Sequence, residues 1–256
     1  MAVAWTIAPL KIPYKGWEIP VFELPSRGVW AVVGPNGAGK SQFFHQLISW
    51  SLHTHLARIG LAAQNPLTQL TESTVWQQMT WPFHRRRQRL AGEIEERASQ
   101  LLGDWHLTEY RDQAPWQLSG GQQRRLVLAS IELLAPEVYL LDEPLEGLDG
   151  LHRAVLEQKI RQWANESSVL VSSHAWNWLL GITESGWWCE DGLAAGNMGA
   201  LWYHHGNVPG NRLETLWRRL LDAQVPVDPR AWIDPQWARG EVKRLWSGYL
   251  PAECTP

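Results

Sequence analysis

The chain has 256 residues, of which 45% are hydrophobic and 19% are charged, and this composition is typical of a globular protein with a buried core. Its formal net charge of -3 disfavours a protein that binds duplex nucleic acid over its surface, so no nucleic-acid partner is expected. Two cysteines are too few for a disulfide scaffold and suit a reducing compartment. We expect no signal peptide and no membrane-spanning helix, so that any membrane role is peripheral.

Short apolar runs alternate with helical patterns, which predicts an α/β protein with a largely parallel sheet. The three helices predicted within 66–134 indicate a helical insertion between two strands, and the tail at 213–250 is predicted to be helical and polar. In chain order, the pattern predicts a strand at 29–33, a helix at 41–52, a strand at 59–63, helices at 75–79, 90–103 and 120–134, strands at 138–141 and 169–172, and a hairpin of 187–190 with 193–195 that turns at Asp191-Gly192.

A glycine-rich segment lies between the first of these strands and the first helix. Its glycines allow backbone N–H groups to turn inward around a phosphate, and the following helix adds its positive end. We expect Lys40 to reach the β and γ phosphates of a nucleotide and the Ser41 hydroxyl to bind Mg²⁺. An ordinary glycine turn is the alternative. The segment fits the pattern GxxxxGK[ST] with Gly34, Pro35, Asn36, Gly37, Ala38, Gly39, Lys40 and Ser41.

Two acidic residues, Asp142 and Glu143, directly follow the strand predicted at 138–141. Asp142 at the strand tip is predicted to hold Mg²⁺, directly or through water, near the nucleotide phosphates. Glu143 is predicted to polarise the attacking water as a general base. Such a pair is often only a solvated turn, but a phosphate-binding loop earlier in the chain favours the catalytic interpretation.

The sequence Leu-Ser-Gly-Gly-Gln at 118–122 precedes an amphipathic helix, for which Ser119 is a candidate N-cap. Ser119 lies 23 residues before Asp142. The phosphate-binding loop, the LSGGQ sequence and the acidic pair follow one another along the chain in this order. In this set of motifs the chain resembles the nucleotide-binding subunits of ABC transporters.

The resemblance covers about residues 20–205 and implies roles for further residues. Gln64 corresponds to a glutamine that contacts Mg²⁺ and the attacking water and responds to the membrane partner. Asp149 corresponds to an aspartate that reaches across a dimer, and His174 to a histidine that contacts the γ-phosphate. The residues implied to bind the nucleotide besides the phosphate-binding loop are Gln42, which stands where threonine is usual, and the opposite subunit's equivalents of Ser119, Gly120, Gly121, Gln122 and Asp149.

The family's fold is a P-loop NTPase (RecA-like) core with a mostly parallel sheet, an antiparallel β segment and an inserted helical subdomain, expected here at about 66–134. The resemblance implies a nucleotide-binding domain at 1–210 and a C-terminal helical extension at 211–256. Adenine is expected to stack on Tyr14, Trp5 or Trp17. ATP and Mg²⁺ are the implied cofactors. The implied partners are a second ATP-binding subunit, identical or not, and an integral membrane transporter subunit. The chain itself is implied to lie peripherally at the cytoplasmic face of the cell membrane.

A narrower resemblance concerns residues 64–75 and 109–115, which are similar to segments of energy-coupling factor ATPases, the group that powers cobalt, nickel and vitamin uptake. It implies that the chain hydrolyses ATP to energise solute uptake through a separate membrane protein. The alternative is a soluble ABC ATPase acting on nucleic acid, ribosomes or cofactor assembly. Lys40 and Ser119 are 79 residues apart with no sustained heptads between them, which disfavours the long coiled coil of repair-type members.

Overall fold

The computed structural model describes residues 3–12, 16, 18–85, 92–183, 185–190, 192–198 and 201. Tyr14, Trp17, the turn residue Asp191 and the predicted extension at 211–256 lie outside these ranges. The strands are β1 (Val3–Ile7), β2 (Leu10–Lys11), β3 (Glu18–Ile19), β4 (Phe22–Pro25), β5 (Gly28–Val33), β6 (Ile59–Ala62), β7 (Val138–Asp142), β8 (Ser168–Ser172), β9 (Ser185–Cys189) and β10 (Leu193–Asn197). The α-helices are α1 (Lys40–Thr54), α2 (Val75–Arg85), α3 (Gly92–Asp104), α4 (Gly120–Leu134), α5 (Gly150–Trp163) and α6 (Trp176–Ile182).

The largest sheet of the described residues has the strand order β10-β9-β5-β8-β7-β6. All of its pairings are parallel except that of β10 with β9. Two antiparallel pairs, β1 with β4 and β2 with β3, form the N-terminal β segment. The predicted fold class is therefore confirmed, and α2, α3 and α4 lie between β6 and β7 where the helical insertion was expected.

The central strands end level with one another. Val32 of β5 pairs with Ser172 of β8, and Ser172 pairs with Asp142 of β7. In parallel sheets the segments that follow the carboxyl ends meet at one edge, which is where ligands bind in this class of fold. The loop after β5, the residues after β7 and the residues after β8 therefore meet at this edge.

Alternating side chains of the central strands enter two separate hydrophobic clusters, one on each face of the sheet. Along β7, Tyr139 and Leu141 belong to the cluster that includes the helical insertion and α5, where Tyr139 stacks on Trp163. Val138 and Leu140 belong to the cluster that includes α1 and the N-terminal β segment. This two-sided burial explains why the strands appear in the sequence as continuous apolar runs. Among the described helices, none combines the length and hydropathy needed to span a membrane.

An ionic cluster centred on the buried Glu132 joins the helical insertion to α5. The Lys159 ammonium on α5 donates to Asp104 Oδ2 at 2.7 Å and to Glu132 Oε1 at 2.9 Å, and Glu132 Oε2 also accepts from the Trp105 indole N–H at 3.0 Å. Burial by itself lowers the pKa of Lys159, but the hydrogen bonds to the two carboxylates reverse this effect, and the net shift is upward. The cluster thus links α3, α4 and α5 through well-compensated charges.

Replacing the central cation tests how much this cluster stabilises the fold. Lys159→Met should lower the free energy of unfolding at pH 7 by about 2–3 kcal/mol, because it leaves the Glu132 carboxylate buried without its closest cation. The matched control Arg58→Met removes an exposed cation 3.8 Å from Glu137 and should change the free energy by about 0.5 kcal/mol or less. Urea unfolding measures both values, and equal effects would contradict the stabilising role.

The same cluster predicts a pH dependence. Because the pKa of Lys159 is raised in the folded state, its contribution is complete below the pKa of an unfolded lysine, about 10.4, and is lost as the pH rises through the higher folded value. On the alkaline side, the difference in stability between the wild type and Lys159→Met should therefore shrink above about pH 10.

Candidate nucleotide-binding site

The phosphate-binding loop between β5 and α1 needs glycine at two positions for different reasons. A Cβ on Gly34 would lie 2.3 Å from the carbonyl oxygen of Cys189 in the neighbouring strand β9, so no side chain fits there. Gly39, the N-cap of α1, has a φ of 107°, which L-residues rarely adopt. The loop therefore reaches the start of α1 in a shape that leaves the helix N-terminus directed at the site.

Lys40 is buried within this loop, and its ammonium donates to the carbonyl oxygens of Gly34 at 2.9 Å and Pro35 at 3.1 Å. Burial lowers the pKa of Lys40, and nearby acidic groups, Glu143 foremost, offset only part of that effect. The neutral carbonyl oxygens accept from two of the three N–H donors of the ammonium and do not neutralise its charge. An anionic phosphate oxygen would supply the stronger, charge-assisted partner.

The acidic pair lies at the end of β7. The carboxylate of Asp142 is buried and accepts a hydrogen bond from the Ser172 hydroxyl of β8. Glu143 has a φ of 47°, and its backbone N–H donates to the Ser172 carbonyl oxygen at 3.1 Å. A left-handed conformation at a residue other than glycine carries strain of order 1–3 kcal/mol, which surrounding contacts must offset. This conformation sends the two successive carboxylates to different positions at the sheet edge.

The residues after β8 contact the carboxylate of Glu143. Its Oε2 accepts from the Ser173 hydroxyl at 3.2 Å and from the backbone N–H of His174 at 3.3 Å. The Nε2 atom of His174 lies 3.4 Å from the other carboxylate oxygen, Oε1. The predicted base and the histidine predicted to contact the γ-phosphate are therefore neighbours.

A cavity of about 240 Å³ brings together most of the residues that the sequence singles out. This volume is below the 300–1,000 Å³ usual for pockets that enclose a whole ligand, so it suits a polyphosphate chain better than a complete nucleotide. It contains the predicted catalytic residues and the predicted Mg²⁺ ligands. The lining residues are Asn36, Gly37, Ala38, Gly39, Lys40, Ser41, Gln42, Gln64, Asp142, Glu143 and His174.

The oxygen atoms that could act as metal ligands in this cavity suit Mg²⁺. Ser41, Asp142 and Gln64 offer a hydroxyl, a carboxylate and an amide oxygen, which are hard ligands of the kind that Mg²⁺ accepts alongside substrate phosphates and water. Within the described ranges no group of three or more His, Cys, Asp or Glu could hold a metal ion by itself. The protein donors thus suit a cation that arrives with a phosphate ligand.

The LSGGQ segment lies elsewhere than this cavity. Ser119 is the N-cap of α4 as predicted, and it forms a capping box in which Gln122 Oε1 accepts from the Ser119 N–H at 2.7 Å. A Cβ on Gly121 would lie 2.5 Å from the Gly147 carbonyl oxygen, so the start of α4 packs closely on that turn. None of residues 119–122 is among those lining the cavity.

Asp149 is also absent from the cavity lining and has partners within its own subunit. Its carboxylate caps α5 by accepting from the His152 N–H at 2.9 Å and from His152 Nδ1 at 2.8 Å, and His152 Nε2 lies 3.2 Å from Nδ1 of His106. The hydrogen bond from the His152 backbone N–H, followed by that from its side chain, lowers the pKa of Asp149. A role for Asp149 across a dimer stays a prediction.

The aromatic partner of adenine also stays a prediction. Of the three candidates, Tyr14 and Trp17 lie outside the described residues. Trp5 is partly buried, and its indole N–H donates to the Leu56 carbonyl oxygen at 3.1 Å. Trp5 does not line the cavity.

Sequence analysis assigned no role to Arg124, which the structure places beside Gln64. This buried guanidinium on α4 donates to the carbonyl oxygens of Ala63, at 2.6 Å, and of Gln64. Burial lowers the pKa of Arg124, whereas Glu146, Asp142 and Glu143 raise it in part. The available signal was a pair of successive arginines, of which Arg124 is the first, directly before the apolar run at 126–129 of an amphipathic helix. Arg124 thus holds the segment that carries Gln64 against the LSGGQ helix.

These features agree with comparisons to known proteins. The family model for ABC transporters matches residues 20–146. The lipopolysaccharide export system ATP-binding protein LptB of Acidithiobacillus ferridurans is 32% identical over 197 residues, which cover 65% of this chain and 77% of that protein. The chain belongs to the ABC transporter family of ATP-binding proteins, a family of ATPases.

Particular relatives include the energy-coupling factor transporter ATP-binding protein EcfA of Methanothermobacter thermautotrophicus. It is 32% identical over 170 residues, which cover 56% of this chain and 53% of that protein. The chain therefore spans about half the length of several curated relatives that it matches. Among solved structures, cbiO1 from Clostridium perfringens, part of the ABC transporter complex cbiONQ, has a similar fold with a TM-score of 0.59. It is 18% identical, and the match covers 84% of this chain and 95% of that one.

The position of Lys40 leads to a prediction about nucleotide binding. Lys40→Ala should weaken ATP binding at least tenfold, because it removes charge-assisted hydrogen bonds worth about 1.5–3 kcal/mol. Lys11→Ala, at an exposed position of β2, is the matched control and should bind as the wild type does. Titration with a fluorescent ATP analogue measures both affinities, and unchanged affinity in Lys40→Ala would remove this lysine from the phosphate site.

Proposed function

We propose that this chain is the ATP-hydrolysing subunit of an ABC transporter and energises solute uptake through a separate membrane partner of the energy-coupling factor type. The observation that carries the proposal is the single cavity in which the phosphate-binding loop, Asp142, Glu143, Gln64 and His174 meet. It holds a buried cation for the phosphates and a carboxylate positioned for proton transfer. This combination is what phosphoryl transfer to water requires.

In the proposed mechanism the backbone N–H groups of the loop and the Lys40 ammonium bind and orient the β and γ phosphates. Ser41, Asp142 and Gln64 would hold Mg²⁺, which would supply positive charge to offset the charge that develops on the phosphate oxygens. Glu143 takes a proton from the attacking water, and His174 lies beside it to contact the γ-phosphate. Each of these roles belongs to a residue that lines the cavity.

In this proposal, two subunits together form the complete active site. Residues 119–122 cap a helix whose positive N-terminal end is away from the cavity of their own subunit. Facing a second copy or a paralogue, this end would meet the γ-phosphate bound there. ATP binding would then close the pair and hydrolysis would open it, which would move the membrane partner.

The energy-coupling factor assignment rests on residues 64–75 and 109–115 and on the similarity to EcfA. LptB, which is named for export, matches at the same percentage identity, so overall similarity does not separate import from export. The membrane partner provides the test. The tagged chain should sediment with membranes at their cytoplasmic face and be released with an integral membrane protein by detergent. Co-purification with nucleic acid or ribosomes instead would favour the soluble alternative.

The proposed general base gives a direct test of hydrolysis. Glu143→Gln should lower kcat for ATP at least 100-fold, because the amide cannot accept the proton of water, while ATP affinity changes little. It should also favour a closed dimer in the presence of ATP. Phosphate release and size-exclusion chromatography measure the two effects. Turnover at the wild-type rate would remove Glu143 from the role of base.

The shared site gives a second test. Ser119→Arg should bind ATP normally but lose at least tenfold in kcat, because a bulky cation at the helix start disrupts the closing surface. Ser99→Arg, which adds the same charge at an exposed position of α3, is the matched control and should remain active.

Mixed dimers of the two variants test whether each active site is formed by two subunits or by one. If subunits of this chain pair with each other, a dimer of one Lys40→Ala and one Ser119→Arg subunit has one intact site and one doubly defective site. Its turnover should exceed that of either variant alone. Dilute monomers that hydrolyse ATP as fast as concentrated protein would contradict the shared site.

A further inference from the structure

Ser173 follows β8 directly, is buried, and contacts the proposed base. Its hydroxyl oxygen accepts a hydrogen bond from the backbone N–H of Ala175 at 3.1 Å and lies 3.2 Å from Glu143 Oε2. A serine hydroxyl has one proton to donate, and a carboxylate can only accept. The proton of Ser173 therefore goes to Glu143 Oε2, and the Ala175 N–H fixes the hydroxyl in the orientation that allows this.

The two carboxylate oxygens of Glu143 have different surroundings. Oε2 accepts from the Ser173 hydroxyl and from the His174 N–H. Oε1 is buried and has no hydrogen-bond partner among the described residues, although the His174 ring lies 3.4 Å away. A buried acceptor left unpaired costs about 1–3 kcal/mol, and such an atom in a functional cavity points to a partner that arrives with the substrate.

We infer that Ser173 is a positioning residue for hydrolysis: it holds Glu143 Oε2 so that Oε1 faces the attacking water and takes its proton. The inference rests on the proposed ATP hydrolysis and deepens it by naming the oxygen that acts. In the step itself, a water O–H bond breaks and its proton moves to Oε1. The water oxygen forms a bond to the γ-phosphorus, and the bond from that phosphorus to the bridging oxygen breaks with its electron pair staying on ADP.

Ser172, the residue before Ser173, has different hydrogen-bond partners, which indicates that the two successive serines have different roles. The Ser172 hydroxyl donates to Asp142, and the Ser172 backbone accepts from the Glu143 N–H. Ser172 thus fixes the backbone of the acidic pair and the proposed Mg²⁺ ligand, whereas the Ser173 hydroxyl, which also accepts from the Ala175 N–H, fixes the end of the Glu143 side chain. Removing the Ser173 hydroxyl should consequently affect proton transfer and leave nucleotide binding unchanged.

The experiment compares three variants of the full chain in steady-state ATP hydrolysis. Ser173→Ala should lower kcat about tenfold while KM and the affinity for ATP stay within about twofold, because the lost contact matters only during proton transfer. Ser173→Thr keeps a hydroxyl and should recover most of the rate. The control Ser167→Ala removes a serine hydroxyl that bonds to Pro136 at the opposite end of β8, and it should match the wild type.

A double-mutant cycle assigns the effect to Glu143. In the Glu143→Gln background, Ser173→Ala should cause less than a twofold further loss, because the group that it positions is no longer a base. Wild-type kcat in Ser173→Ala, a loss that threonine does not recover, or equal loss in Ser167→Ala would overturn the inference and leave the proposed function standing. If the wild-type chain does not hydrolyse ATP at all, the proposed function itself fails.

Discussion

The parallel register of β5, β8 and β7 is the constraint on which the candidate site depends. Because Val32, Ser172 and Asp142 lie level in adjacent strands, the phosphate-binding loop, the two serines and the two carboxylates all start from the same edge. A slip of one residue would turn every side chain of a strand to the opposite face and would exchange the two hydrophobic clusters. Burial on both faces of the sheet therefore fixes the strand register, and the strand register fixes the positions of the site residues at its edge.

Charged groups in the candidate site and charged groups in the rest of the fold have different kinds of hydrogen-bond partner. At the site, Lys40 donates to neutral backbone carbonyl oxygens, and Asp142 accepts from a neutral hydroxyl. In the scaffold, Lys159 binds two carboxylates directly and its charge is compensated within the fold. Low local dielectric strengthens whatever partner a buried charge finds. The charged groups of the site are hydrogen-bonded but not neutralised, so they can still bind a polyphosphate and its cation. The Lys159 ammonium is already neutralised by its two carboxylate partners.

Residues in short contiguous motifs could be predicted from the sequence, because each motif carries its own backbone requirement. The phosphate-binding loop, the acidic pair and the helix at 120–134 all lie where they were expected. The roles of Arg124 and Ser173 were missed because their partners lie 61 and 30 residues away, and only the strand order brings them together. Helix α5 was missed although its buried Leu156, Ile160 and Trp163 follow helical spacing; α6 and β1–β4 are too short to show a clear period.

The contacts of α5 with the helical insertion restrict how the two can move. His152 hydrogen-bonds to His106, and Lys159, seven residues later on the same face of the helix, binds Asp104 and Glu132. These attachments are about 10 Å apart along α5, at 1.5 Å per residue. A body held at a single point can swivel in any direction, but one held at two points can turn only about the line that joins them. As long as both attachments persist, they oppose every rotation of residues 104–106 relative to α5 except one about the line between them, and the close packing of Gly121 on Gly147 restrains the start of α4 as well.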